Sequence, residues 1–130
     1  MSATHPHPPE ARLRRDADIR AVLDRGEAFP GREALVRRLA REAGLARLAL
    51  SVPRGYGHAP RRNRFRRLVR EAFRALRPSL PPVDLVVSPR RGAGEPTLAG
   101  LRTDLERAGR AAAGSGAPPR APRPARPRRR

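Results

Sequence analysis

The sequence predicts a single α/β domain, and three observations predict it. Amphipathic helical patterns alternate with short apolar strand patterns through the middle of the chain. Prolines and glycines mark most of the changes from one pattern to the next. Of the 130 residues, about 100 lie between two tails that are too polar or too small to bury a core, which suits one modest core.

Composition narrows the function classes before any motif is read. The chain has 30 basic residues, all of them Arg, against 12 acidic ones, for a net charge of +18. It has no Cys and no Trp. That excludes a disulfide framework and any Cys-based zinc or redox centre. The longest apolar runs are a few residues, too short for a membrane span, and the first residues lack the apolar core of a secretory leader. So large a surplus of one sign repels itself unless a polyanion neutralises it. Nucleic acid is the default partner, and an anionic membrane surface is second.

The charge is uneven. Residues 61–77 hold eight Arg and one acid, and residues 112–130 hold six Arg, five Pro and no acid. The second block has no apolar side chain larger than Ala or Pro, so 112–130 is expected to be a disordered tail. Its Arg run reads equally as a non-specific RNA grip or as a solvated extension. Residues 1–11, with His5-Pro6-His7-Pro8-Pro9, are expected to be a second tail. The domain is then 12–111.

Within it, Arg14 to Asp24 reads as a short helix, with Ile19, Val22 and Leu23 on one face and Gly26 as its stop. Glu33 to Ala43 favours helix by propensity, although its place before the next strand also suits a hairpin partner. Ala46 to Val52 reads as a strand closed by Pro53 and Gly55. Pro60 to Arg77 is the clearest helix, with Pro78 just past it. Val83 to Ser88 is a short strand, and its unbroken Leu-Val-Val predicts cover on both faces. Thr97 to Ala108 closes the domain as a helix with Leu98, Leu101 and Leu105 on one face and Thr97 as its cap.

The helix over 61–77 carries the chemistry. Phe65, Leu68, Val69, Ala72, Phe73 and Leu76 fill an arc of about 140° at 100° per residue, a core-facing stripe. Asn63, Arg66, Arg67, Arg70, Arg74 and Arg77 fall within about 100° on the other side. Arg66/Arg70 and Arg70/Arg74 are like-charge pairs at i, i+4, which weaken a helix by a few tenths of a kcal/mol each. A solvated face usually mixes signs, so this ridge reads as a phosphate tracker, for which the two-pronged guanidinium is suited. Asn63 can donate and accept, and so can read a base edge or a 2′-hydroxyl.

The run Arg62-Asn63-Arg64-Phe65-Arg66-Arg67-Leu68-Val69-Arg70-Glu71-Ala72-Phe73-Arg74 resembles the signature of the bacterial ribonuclease P protein component. That signature is Arg-Asn, two residues, a basic pair, two residues, then Arg-Glu and a small or aromatic pair. Flanks resemble the family in order: Leu13 to Gly26, Arg47 to Arg54, Asp84 to Val87, and Leu98 to Arg107. The resemblance implies an α/β two-layer sandwich in the order α-β-β-β-α-β-α. Its four-stranded mixed sheet would carry a left-handed crossover, an arrangement shared with a domain of a small-subunit ribosomal protein. It makes Glu33–Leu39 a strand, against propensity.

The resemblance further implies the protein subunit of ribonuclease P, an endoribonuclease that removes the 5′ leader from precursor tRNA in the cytoplasm. The partners would be a large catalytic RNA, in a 1:1 particle with a monomeric protein, and precursor tRNA with its single-stranded leader. Mg²⁺, held mainly by RNA, would activate the attacking water. The sequence agrees in offering no catalytic side chains: it has no paired carboxylates at catalytic spacing and no nucleophile–base set, and His58 reads as a loop residue.

RNA contacts are expected from Arg54, Arg61, Arg62, Asn63, Arg64, Arg66, Arg67, Arg70 and Arg74. A cleft between the first helix and the sheet, holding the leader, is expected to include Ile19, Leu23, Phe29, Ser51 and Val52. Ile19 and Leu23 stand where the family commonly has Phe, so the contacts there would be apolar rather than stacked. Tyr56 and Pro60 replace the usual β-branched residues, and Tyr56 reads as structural filler. Two other classes compete: a small basic ribosomal or ribosome-assembly protein, and a membrane-surface binder using the basic amphipathic helix.

Overall fold

The computed structural model describes residues 9–118. The expectations for residues 1–8 and 119–130 lie outside these. The elements run α1 (Asp16–Arg25), β1 (Glu27–Pro30), β2 (Ala34–Ala40), β3 (Arg47–Leu50), α2 (Ala59–Leu76), β4 (Val83–Pro89) and α3 (Leu98–Arg110). The four strands form one mixed sheet in the order β1-β2-β4-β3. β1 and β4 both run antiparallel to β2, and β3 runs parallel to β4. The β3-α2-β4 crossover therefore joins adjacent parallel strands, which is the order the family resemblance implies.

β2 settles the ambiguous segment. Its burial alternates, with Ala34, Val36 and Arg38 buried and Leu35, Arg37 and Leu39 less so. A local helical preference of a few tenths of a kcal/mol per residue loses to a period-2 face that the sheet can bury. β1 is only four residues long with one large apolar side chain, and the sequence offers no pattern that marks it.

The sheet separates two apolar clusters. On one face Val36, Leu48, Leu85 and Val87 pack with Phe65, Val69, Phe73, Leu101 and Leu105 of α2 and α3. On the other, Val86 packs with Leu13 and Val22, joined by Ile19, Leu23, Leu39 and Ala49. The five residues Val83–Val87 are all buried, so β4 is covered on both faces. Gly26 ends α1 because the helix stops against β2: a Cβ there would lie 2.4 Å from the Val22 carbonyl oxygen and 2.7 Å from that of Arg38.

α3 begins with the expected cap: Thr97 Oγ1 accepts the Gly100 N–H at 3.0 Å. Leu98 is exposed, however, and the core face consists of Leu101, Leu105 and Ala108. Both domain boundaries also move outward. Ala11 is 1% exposed within the core. At the other end, Ala117 exchanges two backbone hydrogen bonds with Ala28 of β1, at 3.0 and 2.8 Å. The segment after Ala111 is thus tied to the sheet before the proline-rich stretch begins.

Candidate nucleic-acid interface

α2 divides its side chains as the 100° spacing requires. Phe65, Leu68, Val69, Ala72, Phe73 and Leu76 are buried, while Asn63, Arg67, Arg70 and Arg74 are exposed. Arg77 leaves the ridge. Its Nε donates to the Ala46 carbonyl at 2.9 Å and NH2 donates to that of Glu10 at 3.3 Å, so it fastens α2 to the chain before β3 and to the N-terminal segment. Arg64 projects about 100° beyond Asn63, away from the ridge, and is exposed.

Arg66 and Arg70 turn toward β3. With Arg12 and Arg14 they line a groove of about 390 Å³, along with Leu13, Ile19 and Leu48–Leu50. The N-terminal segment forms this wall because it runs beside the edge strand: Leu13 N–H donates to Leu48 O at 2.9 Å, and Arg12 bridges to Leu48 in parallel sense. Leu13 is buried there, which sends Arg12 and Arg14 outward on either side of it. Sequence reasoning missed both residues. The alternation Arg12-Leu13-Arg14 was the pattern that could have found them.

Four guanidinium groups and no carboxylate line this groove. Burial, and then the charges of Arg12 and Arg66, push the Arg70 pKa below its ordinary value. The groove's own lining is thus cationic, while Glu10 and Asp18 stand beyond it in a neighbouring hollow that Arg12 and Arg14 also line. Asn63 Oδ1 accepts from Arg66 NH1 at 3.1 Å, which steadies Arg66 and leaves the Asn63 amide N–H groups to donate outward.

At the N-terminal end of α2, Arg61 lies over the Tyr56 ring, 4.6 Å from its centroid, and Tyr56 packs edge-on against Phe65 at 5.6 Å. Tyr56 thus packs against the core cluster and holds a cation over its ring. Arg62 sits at the seam between core and ridge, half-buried, and its Nε is buried with no acceptor among the described residues. Arg54 is exposed in the short 3-10 turn before α2. His58 precedes the helix, exposed and making no side-chain cap bond.

The proposed cleft residues divide between the two faces of the sheet. Ile19 lines the groove, and Leu23 continues the same α1 face against Val86. Ser51 is exposed just past β3, where its N–H donates to Val87 O at 2.9 Å. Phe29 and Val52 are corrections. Phe29 pairs with Val36 and packs into the cluster under α2 and α3, with Arg38 5.5 Å from its ring centroid. Val52 packs against that same cluster. Strand pairing, invisible without the register, puts Phe29 on the side away from α1. Val52 lies past the end of β3, outside the groove lining, and packs there as Leu48 and Leu50 do.

A family model for ribonuclease P matches residues 8–113. The chain belongs to the ribonuclease P protein family. Ribonuclease P protein components resemble it in sequence. That of Chlamydia muridarum is 43% identical over 65 residues, 50% of this chain and 54% of the relative. The chain thus spans about half the length of the chlamydial relatives it matches. An Exiguobacterium ribonuclease P protein component is 36% identical over 84 residues, 65% of this chain and 74% of that one. Among solved structures, the RNase P protein from Thermotoga maritima, in complex with 1-(4-fluorophenyl)-2-thiourea, superposes with a TM-score of 0.65 at 30% identity. It covers 73% of this chain and 94% of that one. The Staphylococcus aureus RNase P protein also gives 0.65, at 26% identity over 75% and 91%.

Proposed function

We propose that this ribonuclease P family protein is the protein subunit of ribonuclease P. It binds the large catalytic RNA and the 5′ leader of precursor tRNA, and it assists endonucleolytic removal of the leader. The observation that carries this reading is the groove where Ile19 and the β3 edge meet Arg12, Arg14, Arg66 and Arg70. Its apolar floor suits the faces of unpaired bases, and its cations suit the phosphates that link them. The exposed ridge of Arg67 and Arg74, with Arg54 and Arg61 at its start, is then free to dock on structured RNA. Family membership favours this over a ribosome-assembly role.

The chemistry belongs to the RNA. Mg²⁺, when bound to RNA and substrate, activates water for attack on the phosphodiester. The protein groove does not suit that ion, because its lining is guanidinium and hydrocarbon with no oxygen ligand set. No cluster of three or more His, Asp or Glu that could hold a metal occurs among the described residues. The side chains of this protein bind and orient. Arg66 and Arg70 take phosphate oxygens, Asn63 donates to a base edge or ribose hydroxyl, and Ile19 fills space beneath the strand. The protein acts in the cytoplasm as one copy per RNA.

The test is affinity and cleavage of precursor tRNA with and without its leader, by the large RNA with and without this protein. A leader-dependent gain on adding protein is expected. Equal gains for both substrates would overturn the reading.

A further inference from the structure

A second hollow, of about 330 Å³, adjoins the groove. Arg12 and Arg14 line both. Arg15, Arg41 and Arg47 add three guanidinium groups to the hollow, against the carboxylates of Glu10 and Asp18. Arg47 opens β3, and Leu48–Leu50 of the same strand line the groove. Arg47 and Leu50 are roughly 10 Å apart along that strand, at about 3.3 Å per residue. A polyanion lying along β3 therefore passes from the groove to the hollow without leaving arginine.

These guanidinium groups differ in what holds them. Arg47 is committed to Asp84 at 2.8 Å and lies 3.8 Å from Asp18. Arg41 donates to the Leu45 carbonyl at 2.6 Å and lies 3.6 Å from Asp84. These two form a fixed cationic wall. Arg12, Arg14 and Arg15 are exposed, and their side chains make no hydrogen bond or ion pair among the described residues. Folding does not account for Arg15. It stands at the N-cap of α1 without a side-chain cap bond, where the helix dipole disfavours a cation. Even with Asp84 counted beside Glu10 and Asp18, three carboxylates face five guanidinium groups.

Resting on the reading that the leader occupies the groove, we propose that this hollow is a second phosphate subsite for the same single strand. It takes the stretch of leader that runs on past Arg12 and Arg14, and Arg15 supplies the free fork. Glu10 opposes it, because its carboxylate repels the same phosphate. Precursor tRNAs whose leaders are long enough to leave the groove are then bound more tightly than those whose leaders end inside it.

The test lengthens the leader one nucleotide at a time. Precursor affinity is measured for the particle of large RNA and full chain, unaltered or carrying Arg15→Gln or Glu10→Gln. For the unaltered chain two successive gains are expected, one as the leader fills the groove and one as it enters the hollow. Arg15→Gln is expected to remove the second gain, about three- to tenfold in affinity, and to leave the first. The salt slope for long leaders should fall by about 0.7 of a unit, the value for one phosphate of a single strand. Glu10→Gln is expected to enlarge the second gain.

A single gain in the unaltered chain would overturn the proposal. An Arg15→Gln loss of equal size at every leader length would do the same, as would a second gain that Arg15→Gln spares or that Glu10→Gln reduces. The melting temperature is expected to be unchanged by Arg15→Gln, which separates lost contact from lost fold. Arg15→Lys keeps the charge and is expected to restore most of the second gain. Failure of the leader reading itself looks different: the unaltered chain then shows no gain at any leader length.

Discussion

Arg47 and Asp84 stand opposite each other in the parallel register of β3 and β4, and they meet as a two-pronged pair. Nε–Oδ1 and NH2–Oδ2 are both 2.8 Å. That hydrogen bonding raises the Arg47 pKa above its ordinary value. Asp84 is 5% exposed, and Arg41 also lies within 3.6 Å of its carboxylate. The one acid in the central strand thus faces two cations on the α1 side of the sheet. Asp84→Ala leaves both without it, and a loss of about 2–4 kcal/mol in folding free energy is expected from urea unfolding. Arg47→Lys keeps the charge but loses the fork, and is expected to cost about 1 kcal/mol.

Asp104 of α3 accepts the backbone N–H groups of Arg32, Glu33 and Ala34 at 3.1, 2.9 and 3.0 Å. One carboxylate thereby holds the β1–β2 turn against the helix. Asp104→Ala strands these donors, with an expected loss of about 2–4 kcal/mol by denaturant unfolding. Amide exchange at Ala34 should accelerate more than exchange in α2.

Arg70 separates folding from binding. Its pKa is lowered by burial and by Arg12 and Arg66, so the folded state disfavours its charge. That cost persists at all pH values below the depressed pKa and is relieved only as pH rises through it, above any working range. Salt is therefore the accessible lever. Arg70→Ala is expected to leave the melting temperature unchanged or to raise it at low salt. The same change should reduce the salt slope of RNA affinity by about one unit. A drop in melting temperature with an unchanged slope would make Arg70 structural.

Ile19 and Phe29 test the assignment of the cleft. Ile19→Phe puts an aromatic ring in the groove, and leader-dependent affinity is expected to rise, since stacking on one base contributes about 1–3 kcal/mol. Phe29→Leu should reduce stability by about 1 kcal/mol through imperfect repacking, and leave the ratio of leader-bearing to leaderless affinity unchanged. A fall in that ratio for Phe29→Leu would return Phe29 to the binding surface.

The sequence by itself determined the helix it places over 60–77, its buried stripe, most of its Arg ridge, the doubly covered strand it places at Val83–Ser88 and the cap at Thr97. Each depends on periodicity or composition within one short window. Only the tertiary structure decided the rest. β2 is a strand because Ala34, Val36 and Arg38 are buried against partners some 50 to 70 residues away, and that burial outweighs a weak local preference for helix. Phe29 faces α2 and α3 because register sets the face, and register is a property of two strands. Arg77 looked equivalent to Arg74 on a helical wheel, yet it caps carbonyls of the chain ahead of it. The +18 of the sequence named a polyanion. The edge pairing of Leu13 with Leu48 brought Arg12 and Arg14 to Arg66 and Arg70 and turned that charge into a groove.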